Sequence, residues 1–461
     1  MLQYAQQVQE QQTSNALLSA KESALNERIK SGRAEVNVNP LDNTEIFGHW
    51  RAESIVSATH RQQTYAVQIR SLNKRQNLCA CPDWANNQLG TCKHIEAVLH
   101  QISRNYKTPQ TTLQSIPFIY RGWQDHQPVI RLQRCAEMPF ELSKLLDQYF
   151  DLKGDFSGQL PDDFFRLQNN LYANDAVQVG DDAAQSVQRM VSEQTRQLEK
   201  QRITQQFELT KGRMGGISAT LFPYQIEGAA FLAANGRALL ADDMGLGKTL
   251  QAITAAYWLH KQAGVAKVLI VCPASLKSQW AREISKFTGL SCQIIQGNAA
   301  QRMPQYKSDS LFMIANYEII LRDLDVINQQ LAPDLIILDE AQRIKNWRTK
   351  IASSVKLIRS RYAVVLSGTP LENGLEDLYS LMQVVDPQVL GPLWRYLADF
   401  HITDDKGKVL GYRNLSELRR LIAPLMLRRN RSIVSDQLPA KTHVQLDVGM
   451  QIASVNYMIR P

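Results

Sequence analysis

Lys248 and Thr249 follow two glycines, Gly245 and Gly247, and residue types in that order can cradle a phosphate. Glycines let backbone N–H groups turn toward an anion, a lysine ammonium offsets charge on the outer phosphates, and a neighbouring threonine hydroxyl can hold magnesium. The full pattern is Asp242-x-x-x-x-Gly247-Lys248-Thr249, with Asp242 standing where such loops usually carry their first glycine. Further along, Asp339 and Glu340 close the apolar run LIIL. Two adjacent carboxylates ending a buried strand are costly unless a metal or a reaction uses them. Beside such a phosphate loop, the first carboxylate serves the magnesium and the second can polarise the attacking water. The plain alternatives are a strand–helix turn with a surface lysine and an exposed acidic turn. Finding both motifs in one chain argues against them.

A second constellation lies nearer the amino end. Cys79-x-Cys81 and Cys92-x-His94 offer three thiolates and an imidazole, the set that closes a tetrahedral structural zinc site. The i, i+2 spacing puts each pair on one side of an extended segment or tight turn, and His94 opens a helix. The alternative is three buried thiols with a surface histidine. Cys135, Cys272 and Cys292 read as core thiols, and six cysteines in 461 residues do not make a disulfide scaffold.

These residues need elements to hold them. The run Ala238–Ala241 has strand length, and Leu250, Ile253 and Tyr257 continue after the loop with helical spacing. Strand-like runs Val268–Cys272, Leu311–Ala315, Leu335–Leu338 and Ala363–Leu366 alternate with helical stretches, which implies βαβ crossovers and a parallel sheet. Active groups then belong at the carboxyl ends of those strands. Residues found there include Ser275, Asn316, Asp339, Glu340 and Ser367-Gly368-Thr369-Pro370. Gln225, ahead of the loop, is placed to read an adenine edge through its amide.

A chain of 461 residues carries two or three domains. The expected division is a polar helical lead-in over 1–49, a zinc finger over 50–105, a middle region and linker over 106–218, the phosphate-loop domain over 219–388, and a helical extension over 389–461. Short strands are expected at Ile55–Ser57 and Tyr65–Ile69. In the middle region, Phe140–Phe150 reads as an amphipathic helix, Gly154–Asp163 as a loop and Gln185–Gln206 as a polar helix or linker. Arg121, Trp123 and Arg131 read as ordinary surface residues. A net charge of +8 leans only modestly toward polyanions. No apolar run reaches the roughly 18 residues of a membrane span. The amino end has no apolar signal core, so a cytoplasmic protein is expected.

The segment around Cys79–His94 resembles the SWIM zinc finger, whose pattern is Cys-x-Cys…Cys-x-His after a small sheet. Farther on, ADDMGLGKT, VCPASLKSQW, IANYEII, LIILDEAQRIKN, VLSGTPLENGLEDLYSLM and PLMLRRNRSIVSDQLPAKT resemble, in order, the first lobe of Swi/Snf-type DNA-dependent ATPases of helicase superfamily two. That resemblance implies an α/β, RecA-like phosphate-loop domain with a parallel sheet, preceded by a small α+β SWIM finger and a mixed middle region. It implies ATP, magnesium and zinc as cofactors and DNA as partner, with the duplex favoured over RNA; the finger could also take a protein. Lys248, Asp339 and Glu340 would be catalytic, with Thr249 and Asp339 on magnesium and Cys79, Cys81, Cys92 and His94 on zinc. Gln225, Asp243, Met244, Gly245, Leu246, Gly247, Lys248, Thr249 and Leu250 would line the nucleotide. Ser367 and Thr369 would couple nucleotide state to the DNA track, with Ser275, Lys277 and Asn316 near its phosphates.

In that family a second lobe supplies the completing arginines, and after Lys441 no second set of motifs follows. Arg428, Arg429 and Arg431 fall in the linker. The expectation is therefore a first lobe alone, truncated or completed by a partner, which binds ATP–magnesium weakly and turns it over little. The leading expectation is an ATP-dependent DNA translocase. The alternatives are a non-catalytic nucleic-acid or protein adaptor and an RNA helicase.

Overall fold

A computed structural model describes residues 2–41, 46–54, 64–105, 112–124, 127–135, 137–171, 177–211, 213–369, 374–404 and 408–432. From the amino end, the polar helix α1 (Leu2–Glu35) leads into an antiparallel sheet ordered β1 (Val36–Pro40), β2 (Gly48–Ser54), β3 (Thr64–Ile69) and β4 (Leu78–Cys79). Two helices, α2 (Pro82–Asn86) and α3 (Lys93–Asn105), pack on it over a core of Trp50, Val67, Ile69, Ile95 and Val98. The sheet thus begins inside the segment expected to be only a helical lead-in, because Val36 and Val38 alternate although polar residues surround them. The strand expected at Ile55–Ser57 lies outside the described residues.

The middle region holds a sheet that its sequence did not announce, ordered β6–β5–β7, built from β5 (Phe118–Gln124), β6 (Gln127–Gln133) and β7 (Gln178–Val179). Around it lie α4 (Phe140–Leu146), α5 (Asp162–Leu171) and the long α6 (Asp181–Leu209). The helix expected over Phe140–Phe150 stops a turn early, since Phe150 bridges to Phe156. The expected loop from Gly154 gives way to α5 at Asp162. Cys135 is not a core thiol: it is partly exposed, with its Sγ 3.1 Å from the Glu137 carbonyl. Cys292 is likewise only partly buried. Arg121 and Arg131 are not loose surface cations. Arg121 lies over the rings of Trp84 and Trp123, and Arg131 pairs with Asp155 at 2.6 Å.

The rest is α/β. In chain order come α7 (Pro223–Asn235), β8 (Arg237–Leu240), α8 (Lys248–Ala263), β9 (Val268–Cys272), α9 (Lys277–Thr288), β10 (Cys292–Ile294), α10 (Ala299–Gln305), β11 (Phe312–Asn316), α11 (Tyr317–Val326), β12 (Leu335–Leu338), α12 (Lys350–Lys356) and β13 (Tyr362–Leu366). They are followed by α13 (Leu375–Val385), α14 (Leu393–Phe400), the hairpin β14 (His401–Thr403) and β15 (Val409–Tyr412), α15 (Leu415–Ile422) and β16 (Met426–Leu427). The seven-stranded sheet runs β10–β11–β9–β12–β13–β8–β16 and every pairing is parallel. Both faces are covered, which explains the continuous apolar runs. Leu239, Leu269, Met313, Ile336 and Val365 face one core, while Ala238, Ile270, Ile314, Ile337 and Val364 face the other. Parallel pairing brings the carboxyl ends of these strands to one edge, where ligands of such sheets sit.

Candidate nucleotide site

At that edge the chain leaves β8 and turns into α8. Gly245 and Gly247 make the turn with φ of 86° and 72°, backbone that a side chain disfavours. A Cβ on Gly247 would stand 2.6 Å from Gln225 Nε2, so a side chain there would also displace the Gln225 amide. Gly245 has open space around it and Met244 is exposed. Leu246 is buried against Tyr224, anchoring the middle of the loop. Lys248 and Thr249 open α8, where unpaired backbone N–H groups face outward. The Lys248 ammonium rests on two loop carbonyls, donating to Asp242 O at 2.8 Å and Asp243 O at 3.2 Å. Burial lowers its pKa, and the carboxylates of Asp242, Glu340, Asp339 and Asp243 oppose that. Lys248 and the acidic strand end thus lie within each other's electrostatic reach.

Asp339 follows β12. Its Oδ2 accepts from Trp280 Nε1 at 2.8 Å, its Oδ1 from the Glu340 N–H at 2.9 Å, and its carbonyl from Tyr317 O–H at 2.8 Å. Burial pushes its carboxyl above the usual range, and the Trp280 hydrogen bond pulls the other way. Glu340 takes a left-handed backbone, φ 48° and ψ 54°, which is uncommon for a non-glycine residue and costs about 1–2 kcal/mol. Its Oε2 is buried with no hydrogen-bond partner among the described residues. A strained residue aiming an unsatisfied acceptor is the kind of group that a bound ion or water would satisfy. Together with the glycine cradle and the ammonium on displaceable carbonyls, it makes a donor set that fits a magnesium-bound triphosphate.

The loop after β13 closes the edge. Ser367 N–H donates to the Leu240 carbonyl at 3.2 Å, and a Cβ on Gly368 would meet Met244 Cγ at 3.2 Å and Lys248 Nζ at 3.7 Å. Thr369 Oγ1 accepts from Lys345 Nζ at 3.4 Å; Pro370 lies outside the described residues. Gln225, expected at the adenine, has its amide turned inward: Oε1 caps the Phe222 N–H at 3.1 Å and Nε2 lies 3.5 Å from the Leu246 carbonyl. Lys277 donates to the Ile295 carbonyl and Asn316 to Glu318 Oε2, so both are engaged at strand ends, as Ser275 is near one. Sequence reasoning missed Arg429. It is buried and reaches Asp242 Oδ2 at 2.6 Å, although 187 positions separate the two. Asp242 in the glycine position was the available signal: a carboxylate buried there demands a cation.

Away from this edge, Cys79, Cys81, Cys92 and His94 are all buried, and their ligand atoms lie within 4.8 Å of one another. A zinc tetrahedron has edges of about 3.3–3.8 Å, given bonds of about 2.0–2.3 Å. The Cys92 Sγ–His94 Nδ1 separation is 3.8 Å. Burial pushes the Cys92 thiol up, while hydrogen bonds from Cys79, Cys92 and His94 favour the Cys81 thiolate. The donor set fits zinc with little adjustment.

A glycine-bearing phosphate loop facing an acidic strand end across a parallel sheet defines a phosphate-loop α/β nucleotide-binding protein. The chain belongs to the SNF2-related domain family, which matches residues 224–457. It is 33% identical over 252 residues to the DNA repair and recombination protein RAD54B of Gallus gallus, covering 49% of this chain and 27% of that protein. It is 30% identical over 248 residues to the ISWI chromatin-remodeling complex ATPase ISW1 of Saccharomyces cerevisiae, covering 51% and 21%. Among solved structures it is similar to the Sulfolobus solfataricus SWI2/SNF2 ATPase core in complex with dsDNA, at 33% identity over 49% of this chain and 48% of that one, TM-score 0.43. The chain spans about a quarter of the length of the curated relatives it matches.

Proposed function

We propose that this chain carries the ATP-binding half of a duplex-DNA-dependent ATPase of Swi/Snf type. The observation that carries the reading is Lys248, held on loop carbonyls and within the electrostatic reach of Glu340, whose Oε2 is buried with no hydrogen-bond partner among the described residues. Lys248 and the loop from Asp243 to Leu250 hold the phosphates, Thr249 and Asp339 hold magnesium, and Glu340 accepts a proton from the attacking water. Magnesium supplies charge neutralisation between the phosphates. Gln225 meets the adenine after its amide leaves the Leu246 carbonyl. Ser367, tied to the Leu240 carbonyl, and Thr369, on Lys345, relay the nucleotide state. Cys79, Cys81, Cys92 and His94 hold zinc in a SWIM-type finger that helps place the chain on DNA or on a protein. Arginines from a second lobe would offset charge on the outer phosphate, and an arginine finger is worth about 10³–10⁵ in related chemistry.

Phosphate release with and without duplex DNA, for wild type and Glu340→Gln, tests the reading. DNA-stimulated release that the substitution abolishes, with ATP–magnesium binding retained, is the expected outcome. Stimulation by single-stranded RNA instead would point to an RNA helicase. Failure to bind ATP–magnesium at all would leave an adaptor built on the zinc unit and the sheet.

A further inference from the structure

The strand that leaves the sheet does not stop where β8 stops. N–H groups of alternate residues on the incoming side donate to carbonyls of alternate residues on the outgoing side: Leu239 to Leu425 at 2.9 Å, Ala241 to Leu427 at 2.7 Å and Asp243 to Arg429 at 3.0 Å. The parallel ladder therefore runs past β8 and β16 into the phosphate loop itself. Arg431 N–H adds a bond to Asp243 Oδ2 at 3.0 Å. Arg428 and Arg431 are exposed while Arg429 between them turns inward.

Inside, Arg429 grips Asp242 by its bidentate edge, Nε to Oδ1 at 3.0 Å and Nη2 to Oδ2 at 2.6 Å, and its own N–H also donates to Oδ1 at 3.1 Å. The remaining donors reach Gln251 Oε1 at 2.9 Å, Glu227 Oε2 at 3.1 Å and the Tyr224 carbonyl. Gln251 in turn donates to Asp242 Oδ2 at 3.3 Å and to the Leu246 carbonyl at 3.0 Å, holding the far side of the loop. Space for this network exists because residue 228 is glycine: a Cβ there would stand 1.7 Å from Gln251 Oε1 and 2.7 Å from Arg429 Nη2. One arginine thus fixes the side chain of Asp242 and the backbone of Asp243. Those are the two residues whose carbonyls hold the Lys248 ammonium.

We propose that Arg429 is a positioning residue for the phosphate loop, so that the seating of the exit segment on β8 sets where Lys248 stands. A shift of the chain beyond β16 then moves Asp242, and with it the ammonium, without any contact to the nucleotide. Removing the guanidinium frees a buried carboxylate six positions before Lys248, and that carboxylate becomes the ammonium's preferred partner in place of a phosphate. A buried charge left alone is far more damaging than a neutral pair in the same place. Neutralising Asp242 as well should therefore undo the harm.

The inference rests on the nucleotide reading above, and its test separates the two. In nucleotide-free protein, hydrogen exchange over residues 241–248 is followed in wild type, Arg429→Gln and the double variant Arg429→Gln/Asp242→Asn. Loop protection is expected to fall in the single variant and to return in the double variant. With a fluorescent ATP analogue and magnesium, the single variant should bind about tenfold more weakly or worse, the double variant within about threefold of wild type, since small misplacements at such sites cost up to about a hundredfold. Wild type that binds no nucleotide would sink the nucleotide reading, while the exchange arm still judges the positioning. Equal losses in both variants, tracking their melting temperatures, would mean that Arg429 only stabilises the fold. Unchanged loop exchange in Arg429→Gln would overturn the proposal outright.

Discussion

Glu340 and Lys356 show how differently single residues can carry strain. At Glu340 the left-handed backbone costs about 1–2 kcal/mol, and glycine would relieve it while adding about 0.5–1 kcal/mol of unfolded-chain entropy. Glu340→Gly should therefore leave the fold as stable as wild type or up to about 1 kcal/mol more stable, measured by urea unfolding, while phosphate release is lost. Destabilisation by more than about 1 kcal/mol would show that the side chain is structural. Lys356 on α12 is a case of burial alone: desolvation lowers its pKa to about 8 from 10.5, and its ammonium donates to Ser380 Oγ at 3.0 Å. With the folded pKa below the unfolded one, the unfolded chain binds more protons between those values, so stability rises with pH across that window. Below about pH 8 the cost is fully present, on the order of 3 kcal/mol. Lys356→Met should stabilise the protein at pH 7 and flatten the rise between about pH 8 and 10.5. An unchanged slope in unfolding midpoint against pH would refute this.

Elements whose burial is written in their own run of residues were legible; elements that exist only because a distant partner offers them an edge were not. β9 and β12 fall where their apolar runs place them, and α8 begins at the lysine of the phosphate loop. Both lie in a sheet covered on two faces, where continuous apolar sequence is the signal. β16 has only two residues and exists because β8 leaves an edge for it, information absent from its own sequence. The middle sheet was hidden because Gly122 and Pro128 interrupt the patterning of β5 and β6, and β7 is too short to show a period. The catalytic candidates were legible as motifs, but the Asp242–Arg429 pair required the fold. The clustering of Cys79, Cys81, Cys92 and His94 was anticipated by their spacing, and the cluster makes an element-scale prediction: about one zinc per chain by metal analysis, with metal lost in Cys92→Ser. Loss of structure should show as new protease cuts within residues 79–105, with the large sheet intact. A metal-free protein that resists cleavage in that segment would remove zinc from its structure.

Across the whole molecule, the amino-terminal unit is joined to the rest by one buried ion pair and several partly buried contacts. Arg70, at the end of β3, pairs with Asp182 at the start of α6 at 3.2 Å, and both side chains are fully buried. From α6, Arg189 reaches Asp386 at 3.1 Å and Phe207 packs on Trp258 of α8, with ring centroids 5.7 Å apart. A second connection comes from the loop between Cys81 and Cys92. Trp394 Nε1 donates to the Asn87 carbonyl at 3.0 Å, Gln388 Nε2 to Asn86 Oδ1 at 3.2 Å, and Arg395 Nη1 to Gln88 Oε1 at 3.4 Å. Cys81 and Cys92 bracket that loop, so what fixes the thiols also fixes the carbonyl that Trp394 uses. Stripping the metal with a chelator should therefore raise hydrogen exchange in α14 as well as in residues 79–105, while β9 and β12 stay protected. Trp394→Phe keeps the ring packing but deletes the indole donor, worth about 0.5–1.5 kcal/mol. In that variant the zinc unit should still load with metal, but α14 should exchange at a rate that chelation barely changes. If α14 in the wild type is indifferent to chelation, the zinc unit is merely tethered to the sheet rather than mechanically joined to it.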